Sequence, residues 1–502
     1  MDINFTIKFN KLDIFLFCAN IPAYIRQISE MKKGEITTIL IEKIAYKGIG
    51  IGYIEQPDKR KIVTFVPDTV PGDTVQIRII KNRKTYIEAK KLEIVSTTAK
   101  KIQAPCPSFG VCGGCMWQNI PYETQLEYKK GFITESLEHI GNQKDLPEIE
   151  MFPSPEQYNY RNKIELSFGN QRYLAQDQMQ NLPESVEGTY VGYHGRGSFY
   201  KIVDIDTCKL VTPVFDDILK CLKDFVKQKK LPPYNVHDHT GFMRHIVLRH
   251  GINTGEFMLH IITASTEDYS EEFWKPLVDN LLLLENDDVK MESILWTQND
   301  SISDIVQGTP KLLYGREYIF DKVGDFLFKI SPYSFFQTNT KGAEVLYDVV
   351  KKQCDLKGGE VVIDLYAGTG TIGMYLAKSA KKIFSVEENK GAVEDARTNA
   401  VLNNIMNIEF YCGKVEKDAF PLIFERPNVV VIDPPRAGMH PKALEMLPKF
   451  GSEKLIYVSC NPTTLARDLA YLTKWYKVER IIGVDMFPQT YHIETVCTLV
   501  KK

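Results

Sequence analysis

Three apolar stretches of the chain each end in side chains that could do chemistry. The stretches and the residues that follow them are 361–363 before Asp364, 429–432 before Asp433, and 455–458 before Cys460. Strands of a parallel α/β sheet end at a common edge, and ligands bind in the crevice outside their carboxyl ends. A thiol and two carboxylates are therefore expected to share one cleft.

The first of these stretches leads into a glycine turn that contains Tyr366, Gly368 and Gly370. Such a turn fits a dinucleotide, S-adenosylmethionine or a purely structural role. The next apolar run ends at Glu387, whose carboxylate could bind the two ribose hydroxyls of S-adenosylmethionine or of NAD. The turn offers no lysine for a phosphate, which favours S-adenosylmethionine.

Four cysteines have the spacing of a ligand set: Cys106, Cys112 and Cys115 on a glycine-rich loop, and Cys208 farther along. Glycines let a backbone fold tightly around one centre, and the fourth thiol would arrive through tertiary structure. Four soft sulfur ligands select zinc or an iron–sulfur cluster. Buried cysteines without a ligand are the third interpretation.

The composition indicates a soluble globular protein with two to four domains, since 44% of the 502 residues are hydrophobic and 25% are charged. Residues 31–100 carry 14 Lys and Arg against 8 Asp and Glu, a net charge of +6. That excess suggests a polyanionic partner, or simply a solvated face. The cysteines do not resemble a secreted disulfide scaffold, so a reducing cytoplasm is expected. The apolar run at 14–18 is too short to span a membrane.

The elements that must position these residues divide the chain into four parts. Short β-type runs with turns about every ten residues predict a small barrel over 31–97. The pattern over 98–330 predicts an α+β domain that carries the cysteine loop and begins with a helix over 121–140. The segment 158–163 in this domain combines aromatic and cationic side chains, which suits contact with RNA. The pattern over 331–502 predicts the α/β sheet, and residues 1–30 are expected to be either a disordered extension or a mis-called start.

The motifs together resemble one enzyme family. The barrel resembles the TRAM domain, an OB-like RNA-binding barrel, and the cysteine spacing resembles a [4Fe–4S] loop. Phe-Phe-Gln-x-Asn, Asp-Leu-Tyr-x-Gly-x-Gly, Asp-Pro-Pro-Arg-x-Gly, Ser-Cys-Asn-Pro and His-x-Glu-Thr-Val then follow in order from residue 335. This order resembles the iron–sulfur, TRAM-containing class of S-adenosylmethionine-dependent RNA (uracil-5-)-methyltransferases, of the 23S rRNA type. The fold implied is a multi-domain α/β protein with a Rossmann-like class I methyltransferase sheet.

The resemblance also implies a role for each motif residue. Cys460 would attack C6 of a uracil, Glu494 would remove the C5 proton, and Asp433 would contact the base and the cofactor. The S-adenosylmethionine pocket would be lined by Gln337, Tyr366, Gly368, Gly370, Thr371, Glu387 and Asp433. The [4Fe–4S] ligands would be Cys106, Cys112, Cys115 and Cys208.

The resemblance makes a large ribosomal RNA the first expected substrate of a monomeric enzyme and a transfer RNA the second. Two rival functions fit part of the sequence. A methyltransferase that acts on exocyclic amines also uses Asp-Pro-Pro, but its reaction has no catalytic role for Cys460 or Glu494. An RNA-binding protein without activity needs only the barrel and the basic patch.

Overall fold

The computed structural model describes residues 32–55, 60–83, 85–174, 187–198, 200–265, 269–302 and 305–502. The predicted extension over residues 1–30 lies outside these ranges. Within them, none of the helices combines the length and the apolar character needed to cross a bilayer.

The N-terminal module is a closed five-stranded barrel, as predicted. Its strands are β1 (Ile36–Ala45), β2 (Ile49–Glu55), β3 (Lys61–Val66), β4 (Asp73–Asn82) and β5 (Tyr86–Thr97). They follow the order β1-β2-β3-β5-β4, and β4 pairs back onto β1 to close the barrel. Alternate residues such as Val75, Ile77 and Ile79 are fully buried, which is the pattern of strands with one face toward a barrel core.

The central module is a seven-stranded sheet with helices on one face. Its strands are β7 (Lys163–Arg172), β8 (Glu187–His194), β9 (Lys201–Asp204), β10 (Met243–Gly251), β11 (Glu256–Thr263), β12 (Lys290–Gln298) and β13 (Lys311–Gly315), in the order β13-β12-β11-β10-β7-β8-β9. The helices α2 (Val214–Lys229) and α3 (Glu271–Leu282) pack their apolar faces on it. The opposite face carries polar side chains, among them His245, Arg249 and His260, which are nevertheless buried.

The C-terminal module is an eight-stranded sheet with the order β18-β17-β16-β19-β20-β22-β21-β6. Its strands are β6 (Ile149–Phe152), β16 (Val361–Leu365), β17 (Lys382–Glu387), β18 (Ile408–Cys412), β19 (Val429–Ile432), β20 (Lys454–Ser459), β21 (Tyr476–Val484) and β22 (Glu494–Lys501). β16 to β20 are parallel, and all of them except the largely exposed edge strand β18 are almost entirely buried, whereas β22 runs antiparallel to β20. The expected Rossmann-like sheet is therefore present.

Helices connect the parallel strands and cover both faces of this sheet. They are α4 (Thr340–Cys354), α5 (Thr371–Ala377), α6 (Lys390–Leu402), α7 (Val415–Asp418), α8 (Pro441–Met446) and α9 (Pro462–Leu472). The side chain of Asn339 caps α4 by accepting from the N–H of Gly342, and that of Asn461 caps α9 by accepting from the N–H of Thr463.

Two parts of the segment 98–330 pack with the C-terminal module: one strand joins its sheet, and a separate two-stranded hairpin shares its hydrophobic core. Strand β6 follows helix α1 (Tyr122–Glu135) and its π-helical extension 136–140, and it pairs in parallel with β21. The hairpin of β14 (Ile319–Val323) and β15 (Phe326–Ile330) shares its hydrophobic core with β16 and α4. The sequence pattern did not indicate the four-residue strand β6, because so short a run has no recognisable periodicity.

Candidate active site

Cys460 directly follows β20, and Glu494 is the first residue of β22, the antiparallel neighbour of β20. The last pair of the β20–β22 ladder joins Ser459 to Thr495, so the next position places Cys460 across from Glu494. The Glu494 side chain is buried, with 5% of its surface exposed, and Cys460 is half-buried. The thiol and the carboxylate thus meet at one edge of the sheet although 33 residues separate them.

The Asp-Pro-Pro-Arg loop after β19 lies beside them. The N–H of Asp433 donates to the carbonyl of Leu365 at 3.3 Å, which ties this loop to the end of β16. The side chain of Asn461, next to Cys460, donates to the carbonyl of Arg436 at 3.0 Å. Asp433, Glu494 and Cys460 therefore lie close enough to influence one another electrostatically, whereas the other expected carboxylate, Asp364, is buried inside β16.

Burial is the main cause of the pKa shifts of the ionisable groups in this cleft. It raises the pKa of the Cys460 thiol to about 12, an effect to which Glu494 adds and which the Arg436 guanidinium opposes by its charge and a hydrogen bond. Burial also raises the pKa of Glu494 well above its usual value, and the nearby Asp433 adds to that effect. The pKa of Asp433 rises to about 7 through burial alone. Without a bound substrate, the cleft therefore disfavours negative charge, and Arg436 is the cation that offsets it.

Sequence reasoning did not single out Arg436. Its position three residues after Asp433 was a usable signal, because a buried thiol that must ionise needs a nearby cation. The loop was instead interpreted through its carboxylate alone.

The glycine turn after β16 has the backbone shape that its sequence requires. Gly370 has a φ of +76°, and a Cβ at this position would lie 2.7 Å from the ring of Phe410. Tyr366, at the start of the turn, also has a positive φ, of +62°. A side chain at Gly370 would therefore clash as well as strain the backbone.

Glu387 closes the other side of this turn. One of its carboxylate oxygens accepts from the N–H of Gly368 at 2.9 Å and the other from the N–H of Asn389 at 2.8 Å. The Thr371 hydroxyl lies 3.1 Å from that of Tyr347 on α4. Each Glu387 oxygen keeps a second lone pair, which could accept from a ribose hydroxyl.

The segment 331–339 links the turn to the central sheet. The Gln337 carbonyl accepts from the side chain of Asn162 at 2.9 Å, and the Thr369 hydroxyl donates to the carbonyl of Phe335 at 3.4 Å. The buried guanidinium of Arg249 donates to the carbonyl of Ser334 at 2.8 Å. The backbone around Gln337 is thus hydrogen-bonded to the central module on one side and to the glycine turn on the other.

Comparisons with known proteins agree with this arrangement. A model of the TRAM domain matches residues 30–92, one of the methyltransferase small domain 335–448, and one of tRNA (uracil-5-)-methyltransferase 423–502. Proteins described as uncharacterized RNA methyltransferases are similar over 94% of this chain: one of Clostridium tetani is 39% identical over 99% of its own length, and one of Caldanaerobacter subterraneus is 38% identical over all of its length. The solved Pyrococcus abyssi tRNA (uracil-54, C5)-methyltransferase in complex with S-adenosyl-L-homocysteine is 29% identical, with a TM-score of 0.72 over 92% of this chain and all of that one.

The chain belongs to the RNA (uracil-5-)-methyltransferase family. The methyltransferase depends on S-adenosylmethionine and carries a TRAM barrel, so these two expectations are confirmed. Its RNA target and its iron–sulfur subtype stay predictions.

The predicted ligand cysteines of the methyltransferase come from two parts of the chain that lie together. Cys115 and Cys208 belong to one small apolar cluster with Tyr160 and Leu210. Cys112 and Cys208 both pack against the core of the central sheet. Within the described ranges, no group of three or more His, Cys, Asp or Glu side chains has the geometry of a metal site.

The chemistry of these four thiols, though not their arrangement in this structure, suits a four-sulfur centre. The pKa of Cys112 and that of Cys115 are both raised to about 12, mainly by burial and in smaller part by the charges of the other cysteines in the set, Cys106 and Cys208 among them. Thiolates that repel one another in a poorly solvated place need a cation to ionise together. An iron–sulfur or zinc centre would supply that positive charge.

The segment before Glu494 is held by groups far away in the sequence. Lys129 on α1 and Asp485 form a fully buried ion pair at 2.7 Å, 356 residues apart. The side chain of Gln125 donates to that of Gln489 at 3.0 Å and accepts from its N–H at 2.9 Å. The N–H of Met116, next to the cysteine loop, donates to the carbonyl of Gln489 at 2.8 Å. These contacts could not be predicted from the sequence, because their partners lie in different motifs.

Proposed function

We propose that the methyltransferase transfers a methyl group to C5 of a uridine through a covalent bond between Cys460 and C6. The observation that carries this proposal is the register of β20 and β22, which brings the Cys460 thiol close to the Glu494 carboxyl. The glycine turn after β16 begins at the same edge of the sheet. C5 of uracil is a weak nucleophile, and covalent catalysis divides one hard step into easier ones.

The proposed steps balance in charge. Cys460 first loses its thiol proton to water, and the resulting thiolate adds to C6 while its charge moves to the uracil oxygen as an enolate. C5 then attacks the methyl group, and S-adenosylhomocysteine leaves as a neutral thioether. Glu494 takes the C5 proton, the electron pair re-forms the C5–C6 double bond, and the thiolate leaves.

The electrostatics of the cleft link the ionisation of Glu494 to the state of Cys460. The charges of Cys460 and Glu494 repel each other, so a single negative charge on the pair is favoured over two. Once the sulfur has become a thioether it carries no charge, and Glu494 can then lose its proton to water and ionise beside it. The carboxylate is thus available at the step that needs a base.

The remaining predicted residues have supporting roles in this proposal. Asp433 contacts the base and the cofactor. The S-adenosylmethionine pocket is formed by Gln337, Tyr366, Gly368, Gly370, Thr371 and Glu387. In the rival function, methylation of an exocyclic amine, neither Cys460 nor Glu494 would have a task.

The preferred substrate is a uridine of large ribosomal RNA, because a barrel combined with a cysteine loop resembles the ribosomal enzymes. A transfer RNA uridine is the second candidate, which the similarity to the Pyrococcus abyssi tRNA enzyme favours. In either RNA the target base must be unpaired or flipped out. The test is to map 5-methyluridine in both RNAs from a deletion strain: loss of one ribosomal site supports the first candidate, loss from transfer RNA supports the second, and loss from neither contradicts the function.

The barrel is expected to bind flanking RNA through cations on its outer surface. Arg78 on β4 and Lys90 on β5 are exposed and lie directly opposite each other, an arrangement that repels unless an anion lies between them. The double variant Arg78→Gln/Lys90→Gln should bind long RNA more weakly. Each lost phosphate contact reduces the magnitude of the negative slope of log K against log salt by about 0.7. The salt dependence of the double variant should therefore be weaker, by about 1.4 in this slope. Filter binding at several salt concentrations measures it.

Lys352→Gln, at an exposed position on α4, is the matched control and should leave the slope unchanged. An unchanged slope in the double variant would contradict RNA binding by this face of the barrel.

We also propose that Cys106, Cys112, Cys115 and Cys208 hold one [4Fe–4S] cluster, which supplies structural support. Protein purified without oxygen should be brown and contain about four irons per chain. Cys208→Ser should remove most of the iron and lower the melting temperature. It should affect RNA binding and stability more than the chemical step. Metal analysis and the visible absorption spectrum measure the loss.

Cys221→Ser, on α2, is the matched control, because this cysteine lies outside the proposed ligand set. Stoichiometric zinc without iron in protein purified in this way would contradict the cluster.

A further inference from the structure

The barrel contacts the segment that carries Glu494. Tyr46 lies in the turn between β1 and β2, and its ring packs edge-on against Tyr491, with centroids 5.6 Å apart and planes at 90°. It packs in the same way against Phe132 of α1, at 5.9 Å and 79°. Tyr491 is buried and precedes Glu494 by three residues. The barrel therefore touches the wall of the active site directly.

The turn that presents Tyr46 is docked closely. A Cβ at Gly48, whose φ is +69°, would lie 3.0 Å from Met116 and 3.2 Å from the ring of Trp117. Ile44, at the end of β1, belongs to the same apolar cluster as Trp117 and Tyr491. The position of Tyr46 is thus fixed by contacts on both sides of it.

The hydroxyl of Tyr46 is also within electrostatic reach of the reacting groups. Its pKa is raised well above the usual value, mainly by burial, with smaller contributions from Tyr491, Cys460 and Glu494, and the charge of Arg436 opposes them. A residue of the RNA-binding barrel is therefore part of the surroundings of the nucleophile.

We propose that Tyr46 is a positioning residue for methylation, which holds Tyr491 so that the Glu494 carboxyl stays opposite Cys460. The inference rests on the proposed role of Glu494 as the base. It makes the barrel a part of the catalytic unit in addition to its role in RNA affinity.

The step that Tyr46 supports gives the proposal a distinctive signature. C6 attack and methyl transfer precede the action of Glu494, so they should proceed in Tyr46→Ala. Proton removal should slow, which should lower kcat about 10- to 100-fold and change KM for RNA less than about threefold. A methylated RNA–protein adduct should then accumulate during turnover on ordinary uridine RNA. On RNA with 5-fluorouridine at the target, where the base step cannot occur, the adduct should form at nearly the rate of the unchanged protein.

Two further variants control this experiment. Tyr46→Phe keeps the ring contacts and should stay within about twofold of the unchanged kcat. Tyr53→Ala, a half-buried tyrosine on β2 that packs in a different cluster of the barrel, should form no adduct during turnover. If Tyr46→Ala does not fold, Tyr46→Leu is measured in its place and judged by the same criteria.

Several results would overturn the proposal: an unchanged kcat in Tyr46→Ala, an increase in KM alone, a kcat loss without an adduct, or an equal defect in Tyr46→Phe. An equal loss of rate on ordinary and fluorinated RNA would indicate general damage and would also overturn it. If the unchanged protein forms no adduct with fluorinated RNA, the cysteine mechanism itself fails, so the two failures are distinguishable.

Discussion

Replacing Cys460 with alanine is expected to abolish methylation, with a loss in kcat of about 10⁴-fold or more, as for other catalytic nucleophiles. Without the sulfur no bond to C6 can form, and C5 stays too weak a nucleophile to attack the methyl group. Cys460→Ser should be almost equally inactive, because a hydroxyl ionises far less readily than a thiol near neutral pH. Transfer of a radioactive methyl group from S-adenosylmethionine to RNA measures the loss.

Cys221→Ala is the control for this experiment and should retain full activity, since Cys221 lies on α2 of the central module. Near-normal activity of Cys460→Ala would refute the proposed attack on C6. It would favour the rival function, methylation of an exocyclic amine, in which the thiol has no task.

Replacing Glu494 with glutamine is expected to stop the reaction after methyl transfer. The amide cannot accept the C5 proton, so the double bond cannot re-form and Cys460 cannot leave. Turnover should fall by about 10²- to 10⁴-fold, the usual contribution of a general base. About one methyl group per protein should still be transferred, and a methylated RNA–protein adduct should survive denaturation on a gel.

5-Fluorouridine at the target position should trap the unchanged protein in the same way, because fluorine cannot leave as a cation. Glu479→Gln, an exposed position on β21, is the matched control and should turn over normally. Normal turnover in Glu494→Gln, or inactivity without an adduct, would show that Glu494 is not the base.

The active-site edge was predictable because parallel strands impose it. Asp433 and Cys460 each follow a buried parallel strand, so any sheet of that kind brings them to one edge, whereas Asp364 is the last but one residue of β16 and is fully buried. The position of Glu494 near Cys460 was harder to predict from the sequence, because it depends on β22 running antiparallel to β20. The barrel was predictable from its turns at regular intervals.

Contacts between modules had no signal in the sequence. Tyr46 belongs to the turn of a barrel hairpin, and nothing in its neighbourhood indicates a partner at Tyr491. Lys129 and Asp485 look like ordinary surface charges until the fold buries them together. Local patterns report which face of an element is buried, but they do not report what covers it.

Strand β6 makes the catalytic sheet inseparable from the chain that precedes it. A fragment beginning at residue 331 would contain every motif of the cofactor and the nucleophile, yet it would leave β21 as a bare edge that could recruit other chains. It would also bury Asp485 without Lys129, and removing one partner of a buried ion pair costs about 3–5 kcal/mol. The unit that can be exchanged, truncated or grafted therefore begins before Tyr122, and the methyltransferase module is discontinuous in the gene product, with the central sheet inserted into it.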